Sequence, residues 1–230
     1  MSRLAAVVGL TVERTILRRS SAFDRPASQW IATAGANAAR AEALAQDLLS
    51  RGATALISIG IAGGLDPRCR PGLLVLASEV IEPGGARLAT DEAWRRRLAG
   101  ALTGLAVSVG PIAGADQMLT SVHQKADLHR RTSALAVDME SHGVARAAMR
   151  QSVPFLALRA VADPAGRGLP ESAVAGLDAQ GRTRPGAMAA ALLARPSDIP
   201  ALFEVAADAA IALARLWQAI GQAGRDLAPR

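Results

Sequence analysis

The stretch ALISIGIAGG, residues 55–64, decides the fold prediction because it joins an apolar strand to closely spaced glycines. Residues 55–59 form a short continuous apolar run, which favours a buried strand. Glycines such as Gly60, Gly63 and Gly64 let backbone N–H groups approach a ligand. The run lacks the dinucleotide-binding spacing and the P-loop lysine, so taken alone it indicates a tight turn at a strand exit.

Outward from this stretch, apolar strands alternate with helical patterns. We predict strands at residues 4–10, 30–34, 55–59, 73–80, 105–113, 135–137 and 154–161. We predict helices at residues 11–19, 38–50, 91–102, 122–131, 142–151, 186–194 and 200–220.

Thr11 and Asn37 are candidate N-caps of the first two helices. The alternation favours an α/β fold with three layers, in a single domain over residues 1–230. The least regular stretch, Gly166–Pro185, is a candidate mobile loop near a site.

The composition excludes several classes of protein. The chain has 230 residues, of which 50% are hydrophobic and 20% charged, and its mean hydropathy is +0.21, unlike a disordered chain. No apolar run approaches the roughly 18 residues that span a bilayer. Residues 1–10 do not have the pattern of a signal peptide. The single cysteine, Cys69, excludes an intrachain disulfide framework and a cysteine-rich zinc site. We therefore expect a cytoplasmic protein.

The net charge of +6 raises the question of an anionic partner. The arginines occur in short scattered groups rather than in one basic stripe, and aromatic residues make up only 3% of the chain. Because single-stranded nucleic acid is usually held by stacking on aromatic side chains, we expect no specific nucleic-acid partner. Of the 26 basic residues only Lys125 is a lysine, which indicates a coding bias toward arginine.

Candidate site residues follow the predicted strands, where open α/β sheets bind their ligands. Asp138 and Glu140 are two residues apart, so in extended geometry their carboxylates point to the same side. Two like charges need a partner, either ligand hydroxyls or a cation. The alternative is that one of them, or Ser141, caps the following helix.

Asp163 ends the most apolar predicted strand and precedes Pro164. A carboxyl beside an apolar wall has a raised pKa and can carry a proton at neutral pH. An Asx turn before the proline explains the same residues, and the pattern leaves both readings open. The three histidines, His123, His129 and His142, lack metal-ligand spacing, so we expect no metal site.

Five motifs in a fixed order carry a resemblance to a known family. They are VVG at 7–9, SIGIAGGL at 58–65, GAD at 114–116, VDMES at 137–141 and RAVAD at 159–163. Together they resemble the nucleoside phosphorylase and nucleosidase superfamily. More narrowly, AVDMESHGVARAA at 136–148 and RAVADPAGRGLP at 159–170 resemble the hopanoid-associated phosphorylases. The resemblance implies a purine nucleoside phosphorylase-like fold, a three-layer α/β/α sandwich with a central mixed sheet.

The resemblance also implies an enzyme that cleaves the N-glycosidic bond of an adenine nucleoside with an apolar 5′ extension. The expected reaction, in hopanoid biosynthesis, releases adenine from adenosylhopane and leaves ribosylhopane. Asp163 matches the proton donor to purine N7, Glu140 matches the ligand of the ribose hydroxyls, and Met139 matches the residue under the sugar. The other substrate-binding residues implied are Asp138, Met118, Gly60, Ile61, Ala62 and Gly63.

The nucleophile stays open at this point. If Glu13 is the base, water attacks the sugar; if Arg14, one position nearer in an ungapped match, holds phosphate, phosphate attacks. Phosphate is thus a candidate co-substrate, and no other cofactor is implied. Two departures from the family pattern are Met118, where relatives often have phenylalanine, and Ala162, where they usually have serine.

Two alternatives remain beside the main reading. One is a 5′-methylthioadenosine/S-adenosylhomocysteine nucleosidase. The other, from a different class, is a non-catalytic nucleoside-binding or membrane-associated module, motivated by the missing phosphate ligands and the +6 charge.

The resemblance implies a homodimer or higher homo-oligomer. The charge fits transient contact with an anionic membrane surface, which would make the protein peripheral to the inner membrane.

Overall fold

The computed structural model describes residues 3–175 and 184–229. The strands in these ranges are β1 Leu4–Val8, β2 Ile31–Thr33, β3 Ala55–Gly64, β4 Leu74–Ile81, β5 Arg87–Ala89, β6 Val107–Gly114, β7 Ala136–Asp138 and β8 Phe155–Asp163. The helices are α1 Thr11–Leu17, α2 Ala38–Ser50, α3 Glu92–Ala101, α4 Val122–Thr132, α5 Ser141–Arg150, α6 Glu171–Ala175, α7 Pro185–Ala194 and α8 Ile199–Ala223. The predicted α/β class is confirmed.

The sheet is mixed, and part of it closes on itself. Its strand order is β2-β1-β3-β7-β6-β4-β5, and β8 pairs with both β3 and β4. The strands β3, β8, β4, β6 and β7 therefore form a ring, because each pairs with the next and β7 returns to β3. Within the ring, β8 runs parallel to β3 and antiparallel to β4. The sequence pattern predicts these strands but not their closure, which depends on pairing between distant residues.

The glycine run at residues 60–64 lies inside β3, so the predicted strand-exit turn is wrong. Gly60 pairs with Arg159 of β8, and the run ends at Gly64, which pairs with β7. The register of β3 on β8 then shifts: Ala62 faces Val161, and the next residue of β3 faces the last residue of β8. The irregularity leaves one extra residue on β8, as in a β-bulge.

Several helix starts follow the predicted capping chemistry. Asn37 accepts a hydrogen bond from the backbone N–H of Arg40 at 2.8 Å, as expected for the cap of α2. Thr11 is not the cap of α1, because it is the first helical residue and Leu10 holds the N-cap position. The Glu13 side chain, in the first turn, accepts from the Leu10 N–H instead.

Two elements were not predicted from the pattern, β5 and α6. The strand β5 is three residues long and forms a hairpin with β4, too short to show an alternating pattern. The helix α6 lies in the irregular stretch Gly166–Pro185, of which residues 176–183 lie outside the described part of the chain. None of the helices in the described ranges is long and apolar enough to cross a membrane.

The longest helix, α8, packs on β8 and β3 and so covers the strands that carry the site. Its inner face buries Ala212, Leu216 and Ile220. Its outer face leaves Phe203 and Trp217 exposed, at 73% and 57% of their surface. This helix therefore has one apolar face in the core and further apolar side chains outside it.

We expect Gly143→Ala to lower the free energy of unfolding by about 1–3 kcal/mol, because the helices α2 and α5 meet at Gly143. A Cβ there would collide with the backbone carbonyl of Ala38. Gly221→Ala is the matched control, because that helical glycine has nothing within 4 Å, and it should raise stability by about 0.5–1 kcal/mol. Denaturant titration measures both changes; equal effects would contradict the close packing.

Candidate functional site

A buried cluster of charged groups lies at the carboxyl ends of β1 and β7 and beside the middle of β3 and β8. Its charged members are Glu13 from α1, Asp138 from β7, Glu140 before α5 and Arg159 from β8, and none exposes more than 6% of its surface. The side chains of Ser58 and Ser141 are also fully buried in it. The structure thus brings together three carboxylates that the sequence singled out and a cation that it did not.

The Arg159 guanidinium is the centre of the cluster. Its Nε donates to Asp138 Oδ2 at 2.8 Å. Its Nη2 donates to Ser58 Oγ at 2.7 Å, to Ser141 Oγ at 3.0 Å and more weakly to Glu140 Oε2 at 3.4 Å. Its Nη1 is buried and has no partner among the described residues. One donor of the guanidinium is therefore available to a ligand.

Glu13 ties the end of β1 to the middle of β3. Its Oε2 accepts from the backbone N–H groups of Gly9 and Leu10 at 2.9 and 2.8 Å, and its Oε1 accepts from that of Ile61 at 2.8 Å. A Cβ on Gly60 would lie 2.6 Å from Glu13 Oε1 and 2.5 Å from Arg159 Nη1. The unpaired donor and the carboxylate thus both lie against Gly60, where a side chain would collide with them.

Asp138 uses both of its oxygens within the protein. Its Oδ1 accepts from the backbone N–H groups of Glu140 and Ser141 at 2.9 and 2.7 Å. Its Oδ2 accepts from Ser141 Oγ at 2.5 Å and from the Arg159 Nε. The sequence offered two explanations for Asp138, a contact with the start of the next helix and a partner cation. Both apply, because Asp138 accepts from the first backbone N–H of α5 and pairs with Arg159 of the same chain.

Burial is the largest influence on the pKa values of the cluster, and the charges of its members modify them. Burial raises the pKa of Glu140 to about 7, with the charges of Asp138 and Glu13 acting in the same direction and Arg159 opposing them. Burial also raises the pKa of Glu13. Burial acts on Asp138 too, but Arg159 and the hydrogen bonds from Ser141 outweigh it and lower the pKa.

A second charged pair lies at the end of β8. Asp163 is 9% exposed, and one of its oxygens accepts from the ammonium of Lys125 in α4. The Lys125 Nζ also donates to the backbone carbonyls of Pro164 and Arg167, both at 2.9 Å. Burial raises the pKa of Asp163, with Lys125 opposing. The Asp163 Oδ1 lies 3.4 Å from where a Cβ on Gly63 would be, so it faces the glycine run of β3.

The other residues named from the sequence lie around these groups. Ala62 is buried in β3 and Ile61 is half-buried beside it. Met139 is half-buried between β7 and α5, and Met118 is half-buried in the segment between β6 and α4.

Arg14 turns away from the cluster that contains Glu13. Its Nη2 donates to the backbone carbonyl of Ser28 at 3.2 Å. It lines a separate groove of about 460 Å³ between α1, β2 and α2. A larger cleft of about 760 Å³ lies between the β4–β5 turn and α4 and is lined by Asp116, beside the site. Within residues 3–175 and 184–229, no three His, Cys, Asp or Glu side chains are grouped to hold a metal ion.

Two charged residues of the candidate site, Arg159 and Lys125, were not predicted from the sequence as members of it. Arg159 interrupts the apolar run FLALRAVAD, and a charged residue in a central buried strand needs a partner. Lys125 is the only lysine of the chain, and the scarcity of lysine was explained by a coding bias toward arginine. In both cases the signal was present, but the partner lay far along the sequence.

We expect the free energy of unfolding to fall by about 3 kcal/mol or less as the pH rises from about 5 to 8. The folded-state pKa of Glu140, about 7, lies above its ordinary value of 4.5, so its protonation contributes fully to stability below about pH 4.5, and this contribution is lost as the pH rises through 7. Glu140→Gln stays neutral and should flatten the curve, with a residual slope from Glu13. Denaturant titration at several pH values measures this dependence of the free energy of unfolding on pH. Glu92→Gln, at an exposed glutamate, is the control. An unchanged slope in Glu140→Gln would contradict the assignment.

Comparison with known proteins adds the family. No curated protein sequence matches the chain. The fold is similar to the 5′-methylthioadenosine/S-adenosylhomocysteine nucleosidase of Neisseria meningitidis in complex with methylthio-immucillin-A. The TM-score is 0.71 at 18% identity, covering 98% of this chain and 99% of that one.

Two more solved structures are similar in fold. The corresponding nucleosidase of Campylobacter jejuni has a TM-score of 0.64 at 18% identity, over 95% of this chain and all of that one (100%). A futalosine hydrolase mutant of Helicobacter pylori has a TM-score of 0.61 at 17% identity, over 70% and 89% of the two chains. Residues 27–195, most of the chain, match the family model of the Phosphorylase superfamily. The protein therefore belongs to the phosphorylase superfamily.

Proposed function

We propose that the protein cleaves the N-glycosidic bond of an adenine nucleoside with an apolar 5′ extension, with adenosylhopane as substrate and ribosylhopane and adenine as products. One observation carries the proposal. Two acid–base centres, Glu13–Glu140–Arg159 and Asp163–Lys125, flank the same glycine run of β3. Cleavage of a ribose–adenine bond needs such groups on both sides, because positive charge develops on the sugar and negative charge on the base.

On the base side, Asp163 acts as the general acid. Burial raises its pKa, which makes it easier to protonate than an exposed aspartate, and its Oδ1 faces the glycine run of β3. Protonation at purine N7 relieves the negative charge of the leaving adenine, and general-acid help of this kind supplies roughly 10²–10⁴-fold. Met118 packs against the base in this proposal.

On the sugar side, Glu140 accepts hydrogen bonds from the ribose hydroxyls, and Met139 lies under the ring. The pKa of Glu140, about 7, leaves its charge sensitive to a ligand, and a carboxylate there stabilises a cationic sugar. Asp138 has no free oxygen, so in this proposal it positions Glu140 and Arg159 rather than contacting the substrate.

Water is the nucleophile that the electrostatics favour. A phosphate would enter a space between three carboxylates and a single guanidinium, where its own charge is repelled. Arg14, the candidate phosphate ligand, is hydrogen-bonded to Ser28 outside the cluster. In this proposal the attacking water accepts from Arg159 Nη1, which has no partner among the described residues, and Glu13, which lies beside that donor at Gly60, acts as the base.

The apolar 5′ group is supported by the surface next to Asp163. The loop after β8 is tied to α8, since Arg167 pairs with Glu204 and Asp208. Phe203, the neighbour of Glu204, is 73% exposed. The helix that holds this loop thus presents an exposed apolar side chain, which could contact an apolar 5′ group in this proposal. A small methylthio group would not need this surface, which favours the lipid substrate over 5′-methylthioadenosine.

The test of this function is product analysis on adenosylhopane and 5′-methylthioadenosine, with and without phosphate. We expect adenine and the free sugar from adenosylhopane at a rate that phosphate does not change. Asp163→Asn should lower kcat by about 10²–10⁴-fold. Asp24→Asn, whose Asp side chain is 64% exposed and lies outside the site, is the matched control and should leave kcat unchanged.

Three outcomes would contradict parts of the proposal. Phosphate-dependent formation of a ribose 1-phosphate would replace water as the nucleophile. Preferred turnover of 5′-methylthioadenosine would replace the lipid substrate. Binding of adenine nucleosides without any release of adenine would leave the non-catalytic nucleoside-binding module as the function.

We extend the proposal to a cytoplasmic protein that touches an anionic membrane surface, which would hold such a lipid substrate. Phe203 and Trp217 are fourteen positions apart on α8, so they lie on the same side of the helix, and the net charge is +6. A homo-oligomer is proposed on the family resemblance alone.

We expect the protein to co-sediment with vesicles that contain anionic lipid and to be released by salt. Phe203→Ser and Trp217→Ser should weaken this binding because they remove exposed apolar side chains. Met149→Ser, which removes an exposed apolar side chain of α5, is the control and should bind like the wild type. Equal binding by all variants would assign the contact to charge alone.

A further inference from the structure

The structure assigns Lys125 as the source of the proton that Asp163 passes to the leaving base. This inference rests on the proposed function, because it concerns how the general acid is supplied. Lys125 is 1% exposed and is the only lysine among 230 residues. Nothing in the chemistry of the sugar side requires it, since it contacts neither Glu140 nor Arg159.

The surroundings of Lys125 fit an ammonium group. Its Nζ has three acceptors: a carboxylate oxygen of Asp163 and the carbonyl oxygens of Pro164 and Arg167. An ammonium has three N–H donors and satisfies all three, whereas a neutral amine has only two. The proton nearest to the Asp163 carboxylate is therefore on Nζ. An aspartate in contact with an ammonium can act as an acid only if that proton is passed on.

The proton transfer balances as follows. As the glycosidic bond breaks, its electron pair goes to the base. One Nζ–H bond of Lys125 breaks in favour of the Asp163 carboxylate, and the carboxyl group so formed gives a proton to a nitrogen of the base, which gains a new N–H bond. The electron pair of the broken Nζ–H bond stays on Nζ, leaving a neutral amine. The attacking water releases a proton on the sugar side, and solvent returns a proton to Nζ after the products leave.

A purely structural role for Lys125 is the competing explanation, since its ammonium also holds the loop that follows β8. That loop has a second support, because Arg167 pairs with Glu204 and Asp208 of α8. The charged groups around the pair are thus Arg167 and Asp208 beside Asp163, and both remain when Lys125 is replaced. A proton source and a loop support therefore predict different results for the same variants.

The experiment is a double-mutant cycle on adenine release from adenosylhopane with Lys125→Gln, Asp163→Asn and the double variant. A proton source acts only through Asp163, so Lys125→Gln should lower kcat by about 10²-fold alone and add nothing in the Asp163→Asn background. Multiplying effects would overturn the inference. Lack of adenine release by the wild type would instead overturn the proposed function.

Lys125→Arg separates proton supply from support of charge and loop. An arginine keeps a cation for the same acceptors but does not give up its proton. We expect adenine release to fall in Lys125→Arg by about 10²-fold, as in Lys125→Gln, while a 4-nitrophenyl riboside, whose leaving group departs without a proton, is cleaved at the wild-type rate. Full adenine release by Lys125→Arg, or an equal loss on both substrates, would show that Lys125 only supports the structure. If Lys125→Gln does not fold, Lys125→Arg alone decides between these outcomes.

Discussion

A guanidinium buried in the middle of a central strand is the constraint on which the rest of the site depends. Arg159 has no access to solvent, so its charge is stable there only with a set of partners in fixed positions. Asp138 supplies the main ion pair, and the hydroxyls of Ser58 and Ser141 complete the hydrogen bonds. Removing one partner of such a pair typically costs about 3–5 kcal/mol, so these positions are fixed together.

The same constraint explains the glycines of β3. Gly60 faces Arg159 across the sheet, and the Arg159 Nη1 and the Glu13 carboxylate occupy the volume that a side chain would need. The sequence indicates that these glycines let backbone N–H groups approach a ligand. In the structure, the missing side chain at Gly60 instead leaves room for charged side chains from two other elements, α1 and β8. Because these groups are held by backbone N–H donors and buried hydroxyls, they are oriented before any ligand arrives, which is the condition for electrostatic stabilisation of a developing charge.

The sequence predicted local structure better than it predicted partners. Strands and helices occur near the expected residues because hydrophobic period and capping residues such as Asn37 are local signals. The extension of β3 through Gly64 was missed because glycine favours turns in the absence of information about its neighbours. Arg159 and Lys125 were visible as odd residues, yet their partners lie 21 and 38 positions along the chain for Asp138 and Asp163, respectively. Such pairs follow from the closed ring of strands, which no local pattern contains.

The irregular pairing at the end of β8 has a consequence for the relation between its two charged residues. Asp163 lies four positions after Arg159, and in a regular strand this even spacing would place both side chains on one face. The extra residue, Ala162, changes that alternation. Arg159 pairs with Gly60 of β3, whereas Asp163 pairs with Gly63, only three positions further along that strand. A single small residue thereby decouples the direction of one carboxyl from the direction of the buried cation. The strand can hold an acid and a cation a few residues apart without their neutralising each other, which leaves each group free to pair with a different element of the fold.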